Sequence, residues 1–363
     1  MRLFASDNVT GACPAVVEAV LSANAGIAAS YGEDHWSTAL KAKFSEVFER
    51  EVEVFPVLSG TASNALALAA LTPVYGKVYC HELSHINTDE CGAPELLTGG
   101  AKLIPLRGAN GRIVPDDLAQ AIRGRGNVHV PQPAVVSITQ ACETGTVYRP
   151  SEILEIAAIA RDHHLKVHMD GARFANALST LGVTPAKMTW QAGVDVLSFG
   201  GTKNGCFVAE AVIFFNPEMA EHFEFLRKRS GQLISKMRFV SSQLLAYIAD
   251  DLWLQNAMVA NETAQKLSRG MAALPEIELA YPTESNEVFV RLPDYLIGGL
   301  RAKHRYINED ELDGKAVRFV TSWVTTDEEV QSLLDDISQC ILEAKCESQS
   351  TNTLSSQQGA PPR

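Results

Sequence analysis

The chain has 363 residues, 46% of them hydrophobic, and a formal net charge of −12. That length can bury a site inside one large core or between two domains, and the acid excess argues against nucleic acid or anionic membrane as partner, since both call for basic patches. The seven cysteines (Cys13, Cys80, Cys91, Cys142, Cys206, Cys340 and Cys346) contain no C-x-x-C pair; the odd number fits free thiols in a reducing compartment better than a disulfide framework or zinc ribbon.

The N-terminal residues Met1-Arg-Leu-Phe-Ala-Ser-Asp-Asn8 carry no apolar signal core, and no later stretch is long and uncharged enough to span a bilayer, so the expected location is the cytoplasm. A first helix is expected from Ala12, with Pro14 near its start, and a second from Ser37 to Arg50. Glu51–Leu58 alternates and is β-rich; Ser59-Gly-Thr-Ala-Ser-Asn64 follows it and opens an Ala/Leu helix to Leu71. A strand, a glycine, hydroxyls and then a helix form a phosphate-site pattern, because N–H groups at the helix start face an anion and small residues let it approach. A plain capped helix start has the same pattern, and the stretch is neither a Walker A loop nor G-x-G-x-x-G.

Strands are then expected at Lys77–Cys80, Lys102–Leu106, Ala134–Thr139, Lys166–Met169, Val194–Phe199 and Phe207–Phe215. They alternate with helices at Pro115–Arg123, Glu152–His163, Arg173–Leu181 and Pro217–Arg229. Such alternation gives crossover units and a mainly parallel sheet covered on both faces. A long helical region from Ser241 to Ala273 should link this lobe to a smaller α+β lobe. That lobe comprises Ile277–Tyr281, Glu287–Leu292, a helix at Asp294–Lys303, Ala316–Thr321 and a final helix opened by the capping box Thr326-Asp-Glu-Glu329. The domain reading is an N-terminal segment over 1–25, a large domain over 26–245, a small C-terminal domain over 246–345 and a Ser/Gln/Pro-rich disordered tail over 346–363.

Two stretches carry chemistry. Val194–Gly205 is an apolar run that ends on glycines and then presents Lys203 among small residues. A lysine whose charge is disfavoured becomes an amine nucleophile able to form a Schiff base; the alternative is a surface lysine in a turn. In Lys166-Val-His-Met-Asp-Gly-Ala-Arg173, Asp170 closes a buried strand, where a carboxylate must have a partner. Either it caps the next helix or it faces a pyridinium nitrogen, as in pyridoxal phosphate (PLP) chemistry. The interval to Lys203 spans one helix, one connector and one strand, which suits two groups on nearby parallel strands at one sheet edge.

These stretches, with Ser6-Asp-Asn-Val-Thr10, Ser84-His-Ile-Asn87, Glu90-Cys-Gly-Ala-Pro-Glu95 and Gly201-Thr-Lys-Asn-Gly205, resemble the low-specificity L-threonine aldolases of the aromatic amino acid β-eliminating lyase/threonine aldolase family, over about Leu3 to Asp336. The resemblance implies an α/β, fold-type I PLP-dependent transferase-like architecture with a smaller α+β C-terminal domain. It implies a homo-oligomer with shared sites, a dimer at minimum and, in the family's manner, a tetramer, and an amino acid substrate. It also implies roles. Lys203 holds PLP as a Schiff base, Asp170 pairs with the pyridine nitrogen, His85 lies over the ring, and Gly60 and Thr61 bind the phosphate. Arg238, with Lys228 as a weaker candidate, reaches a neighbouring subunit's phosphate. Ser6, Arg173 and Arg318 hold the substrate carboxylate; an outward-facing Arg318 on an alternating strand is the bland alternative.

The implied reaction is cleavage of the Cα–Cβ bond of L-threonine or L-allo-threonine to glycine and acetaldehyde, with His85, or a phosphate-bound water, as base. One departure stands out. Where family members carry a Thr-His pair, this chain reads Thr139-Gln-Ala-Cys-Glu143, so a phenylserine or another aromatic β-substituted substrate is an alternative, with Glu143 taking over the polar contact. Asp7 and Asn8 are read as local turn caps. His81-Glu-Leu-Ser-His85 matches the zinc metallopeptidase H-E-x-x-H motif, which needs a helix to bring both histidines to one face; a third reading is a non-catalytic scaffold that kept the fold.

Overall fold

The computed structural model describes residues 4–302, 308–310 and 316–357. Cys13-Pro14 starts the first helix, α1 (Pro14–Ala23), with proline where no intrahelical N–H is needed. The second, α2 (His35–Val47), is capped by Asp34, whose carboxylate accepts from the Ser37 N–H at 2.9 Å. Strand β1 (Glu53–Val57) leads through Ser59, whose hydroxyl caps the Ala62 N–H, into α3 (Gly60–Leu71).

The following strands are β2 (Gly76–His81), β3 (Lys102–Leu106), β4 (Gln132–Thr139), β5 (Lys166–Gly171), β6 (Val196–Gly200) and β7 (Glu210–Phe214). They form one seven-stranded sheet in the order β1-β7-β6-β5-β4-β2-β3. All its parallel pairs lie between β6 and β3; β7 alone runs against the rest, antiparallel to both β1 and β6. The cause is local: residues 201–209 are too few for a crossover, so the chain must turn back beside β6. Every residue of β6 and β7 is buried, as expected for strands covered on both faces.

A second, four-stranded antiparallel sheet comprises β8 (Glu278–Leu279), β9 (Glu287–Arg291), β10 (Asn308–Asp310) and β11 (Ala316–Val320). It packs on helices Leu252–Ala272 and Asp327–Gln357 through Leu267, Met271, Val288, Val290, Val317, Phe319, Leu333 and Ile337. The capping box that opens the last helix is reciprocal: Thr326 N–H donates to Glu329 Oε2 and Glu329 N–H to Thr326 Oγ1.

Three expectations need correction. The helical region from Ser241 to Ala273 is two helices, Arg238–Ile248 and Leu252–Ala272. They are broken at Asp250 and Asp251, whose φ of +49° and +57° is a left-handed conformation that aspartate tolerates better than most residues. Pro217–Arg229 is likewise split, into a short turn at Pro217–Ala220 and a helix at Phe223–Arg229. The segment 346–357, expected to be unstructured, continues the last helix to Gln357: it holds no glycine or proline, and it extends a helix already anchored by Ile337 and Ile341. The rest of the expected tail, 358–363, and Lys303 at the end of its expected helix lie outside the described residues.

Aromatic packing fixes the turn after β6. Phe44, Phe174 and Trp253 surround Phe199 with ring centroids 4.9, 6.2 and 5.6 Å away. Asn204 carries that rigidity to the turn, donating to Tyr247 Oη at 2.7 Å and to the Trp253 carbonyl at 2.8 Å. At the last residue of β6, a Cβ on Gly200 would lie 2.5 Å from the Ala172 carbonyl oxygen and 2.8 Å from its Cα. Gly200→Ala is therefore expected to destabilise the protein by about 1–3 kcal/mol and to push the strand ends apart, weakening PLP binding; urea unfolding and cofactor titration check both.

Candidate active site

Strands β1, β2, β4, β5 and β6 run the same way, so their C-terminal ends meet at one sheet edge, where α/β proteins place their ligand crevices. A cavity of about 280 Å³ opens there. Its walls bring together six of the expected residues, Gly60, Thr61, His85, Asp170, Arg173 and Lys203, along with Asn8, Asn64, Thr139, Glu143 and Glu210.

Most wall groups stand at or just beyond a strand end, with Asn8 supplied by the N-terminal turn and Asn64 by α3. Gly60 and Thr61 start α3, so the helix's first N–H groups and positive end face the cavity. Asp170 is buried at the end of β5. Its Oδ1 accepts the Ala172 N–H at 3.0 Å and its Oδ2 accepts Asn64 Nδ2 at 2.8 Å. The same Asn64 nitrogen donates to the buried Glu90 at 2.8 Å. Glu90 in turn meets His85 Nδ1 at 2.9 Å. The bond to Glu90, despite opposing burial, raises the His85 imidazole above its usual range, and burial raises Glu90 as well.

Lys203 sits in the helical turn Thr202–Asn204. Beneath it the buried Glu210 accepts the Gly201 and Thr202 N–H groups. Burial pushes the Glu210 carboxyl up to about 7, against the opposing pull of those bonds and of Lys203. Glu143 follows β4; its Oε1 accepts the His85 N–H and the Thr139 hydroxyl, each at 2.8 Å.

Arg173 is locked on two carboxylates. Its Nε and Nη2 donate to Asp7 at 2.8 and 3.1 Å, and Nη2 lies 3.2 Å from Glu287. Asp7 is thus a buried ion-pair partner and Asn8 a wall residue, which corrects their reading as mere turn caps. Burial raises the Asp7 carboxyl, but Arg173 and Lys203 outweigh it and hold it below its usual range.

Ser6, Arg318, Arg238 and Lys228 do not line this cavity. Ser6 Oγ accepts the Asn8 N–H at the N-terminal turn. Arg318, half-buried on β11, points to Glu287 at 3.6 Å and so toward the Arg173 cluster rather than outward. Arg238 begins the helix Arg238–Ile248 with a buried Nη1 that has no hydrogen-bond partner among the described residues, and the Lys228 ammonium lies 4.4 Å from the Tyr31 ring centre.

The zinc reading loses its geometric basis. His81 ends a strand while His85 starts a separate helical turn. Both His81 ring nitrogens are spent on backbone: Nδ1 accepts the Leu83 N–H, so Nε2 donates to the Gly108 carbonyl. Among the described residues no cluster of three or more metal-ligating side chains occurs.

Sequence reasoning missed Asn64, Glu90, Glu210 and Glu287 as site residues. Two of these carried a signal: Glu210 is the lone acid before Ala211-Val-Ile-Phe-Phe215, and Asn64 a lone amide in an Ala/Leu helix. A buried acid, an amine, an imidazole and a helix N-terminus around one cavity fit PLP: each is a group that cofactor needs and none is satisfied by apolar filling.

A beta-eliminating lyase family model matches residues 4–294. The chain is 45% identical to the low specificity L-threonine aldolase of Pseudomonas sp. (strain NCIMB 10558) and 44% to that of Pseudomonas aeruginosa, covering 92% of this chain and 96% of the relative in each case. The solved Leishmania major threonine aldolase superposes with a TM-score of 0.87 at 28% identity, over 93% of this chain and 99% of that one.

The Glu210 shift has a testable sign. Its folded value, about 7, lies above the unfolded 4.5, so the folded state holds the extra proton and stability declines as pH rises from 4.5 to 7. Glu210→Gln cannot titrate. It should gain on the wild type by roughly 3–4 kcal/mol above pH 7 relative to its standing below pH 4.5, measured by urea unfolding of PLP-free protein.

Proposed function

The chain belongs to the beta-eliminating lyase family, and from that premise we propose that it is a PLP-dependent carbon–carbon lyase cleaving the Cα–Cβ bond of L-β-hydroxy-α-amino acids, L-threonine and L-allo-threonine among them, to glycine and an aldehyde. The architecture is that of the fold-type I PLP enzymes. The observation that carries the reading is the meeting of Lys203 and Asp170 in one cavity with His85 and the start of α3. PLP, when bound, supplies a conjugated ring that accepts the electron pair released at Cα.

The chain's own residues do the rest. Lys203 offers the amine that holds the cofactor's aldehyde. Asp170, fixed by Asn64 and the Ala172 N–H, offers a carboxylate to the ring nitrogen. Gly60 and Thr61 face the phosphate, and His85 covers the ring. Arg173 and Arg318, ordered by Glu287, draw in the substrate carboxylate with Ser6. Holding that carboxylate sets which bond at Cα stands across the ring, a positioning effect. Arg238 and Lys228 serve a neighbouring subunit's phosphate in a dimer or larger homo-oligomer, tetramer by analogy with the family. The free thiols of Cys13, Cys80, Cys91, Cys142 and Cys206 support a reducing, cytoplasmic setting, and no helix among the described residues is long and apolar enough to cross a membrane.

Purified protein should be yellow, and borohydride should fix the cofactor on Lys203, mapped by mass spectrometry. Lys203→Ala should lose that adduct and at least about 10³-fold in kcat. Colourless protein with no adduct after PLP addition sinks the reading. Release of acetaldehyde from threonine, set against benzaldehyde from phenylserine, ranks the substrates.

A further inference from the structure

Glu143 stands just beyond β4, on the cavity wall with Lys203, His85 and Asp170. Its two oxygens are used unequally. Oε1 takes both the His85 N–H and the Thr139 hydroxyl, while Oε2 is buried with no hydrogen-bond partner among the described residues. With the Oε1 lone pairs committed, a proton on this carboxyl belongs on Oε2, and no group among the described residues accepts it. A half-used carboxyl in the wall of a ligand cavity is a donor and acceptor kept for something that enters.

The expected base, His85, is already engaged: its Nδ1 is tied to the buried Glu90, a bond that raises the imidazole above its usual range. Glu143 is faced by Asp170 and Arg173 from the end of β5, by Cys80 from β2, by Cys142 and Tyr148 in its own segment, and by His85 through its backbone. Burial, and then the Asp170 charge, push it up to about 7, where one group can take up and return a proton at neutral pH.

We infer that Glu143 is the general base for the substrate's β-hydroxyl, in the cleavage reaction on which this inference rests. The carboxylate takes the β-hydroxyl proton. The O–H electron pair becomes the second carbon–oxygen bond of the aldehyde, and the Cα–Cβ pair stays with Cα. Glu143 then loses its proton to solvent, and Cα gains one from solvent to become glycine's. No proton or electron is gained or lost over the cycle. In the synthetic direction the same carboxyl donates to the aldehyde oxygen.

Glutamine separates this role from a merely structural one. In Glu143→Gln the side-chain carbonyl still accepts both donors, so His85 and Thr139 stay in place, but no proton can be taken. With the PLP-loaded protein and L-threonine, kcat should fall about 10²-fold or more, while KM and PLP retention stay within about threefold. The fall in wild-type kcat as pH drops through about 7 should vanish, and Glu143→Asp should keep that limb at a lower rate. In PLP-free protein, the infrared absorption of protonated carboxyls should shrink as pH rises through about 7, and Glu143→Gln should lack one component of that change, the one from Glu210 remaining.

Wild type that cleaves threonine while Glu143→Gln keeps pace within about threefold overturns this inference alone. A wild-type kcat flat through pH about 7 does the same, whether or not the glutamine variant folds. Wild type that carries the Lys203 adduct yet releases no aldehyde from any β-hydroxy amino acid overturns the functional reading and this inference with it.

Discussion

Six carboxylates converge on one edge of the sheet: Asp7, Glu90, Asp170, Glu210 and Glu287, all buried, and the half-buried Glu143. Burying a charge is costly unless it is paired, hydrogen-bonded or neutralised. The structure uses all three remedies, and which acid receives which remedy divides the site into parts. Asp7 and Glu287 are paired with Arg173, and Glu287 also with Arg318. Asp170 and Glu90 share the Asn64 amide, and Glu90 adds His85. Glu210 and Glu143 receive only neutral donors, and these are the two pushed up to about 7. The first pair orders arginines, the second forms a hydrogen-bonded chain from Asp170 through Asn64 and Glu90 to His85, and the last two are poised near neutral pH. Glu210 lies under the Lys203 turn and Glu143 in the cavity wall.

The parts of this arrangement legible in the sequence were those set by local chain chemistry. Pro14, Ser59 and the Thr326–Glu329 box marked helix starts that recur in the structure. Strand and helix alternation gave the parallel core, because its central strands read as short, largely buried runs between helical stretches. Gly201-Thr-Lys-Asn-Gly205 and His168-Met-Asp-Gly-Ala-Arg173 announced Lys203 and Asp170. What the sequence hid were contacts between residues far apart in the chain. Asp7 lies 166 residues from Arg173 and 279 from Asn286, and nothing about a short polar N-terminal stretch says that it is buried against both. The reversal of β7 was also hidden: its residues read like those of any buried strand, and only the short span 201–209 forces the antiparallel return. The helix break at Asp250–Asp251 depends on left-handed backbone that no glycine advertises.

Those long-range contacts also explain why the smaller sheet belongs to the site. Glu287 opens β9, and its carboxylate sits between Arg173 of the larger sheet's edge and Arg318 of β11. The Asn286 amide, one residue earlier, donates to Asp7 at 3.1 Å and to the Thr321 carbonyl at 2.8 Å. N-terminal turn, large sheet and small sheet therefore close on one ion cluster. Two arginines facing two acids leave that cluster near neutrality, with Lys203 as a further cation at its border. Asp7 accepts two of the bonds that hold Arg173 and one from Asn286, so the N-terminal turn that carries Ser6, Asp7 and Asn8 is what ties the two sheets together at the cavity wall.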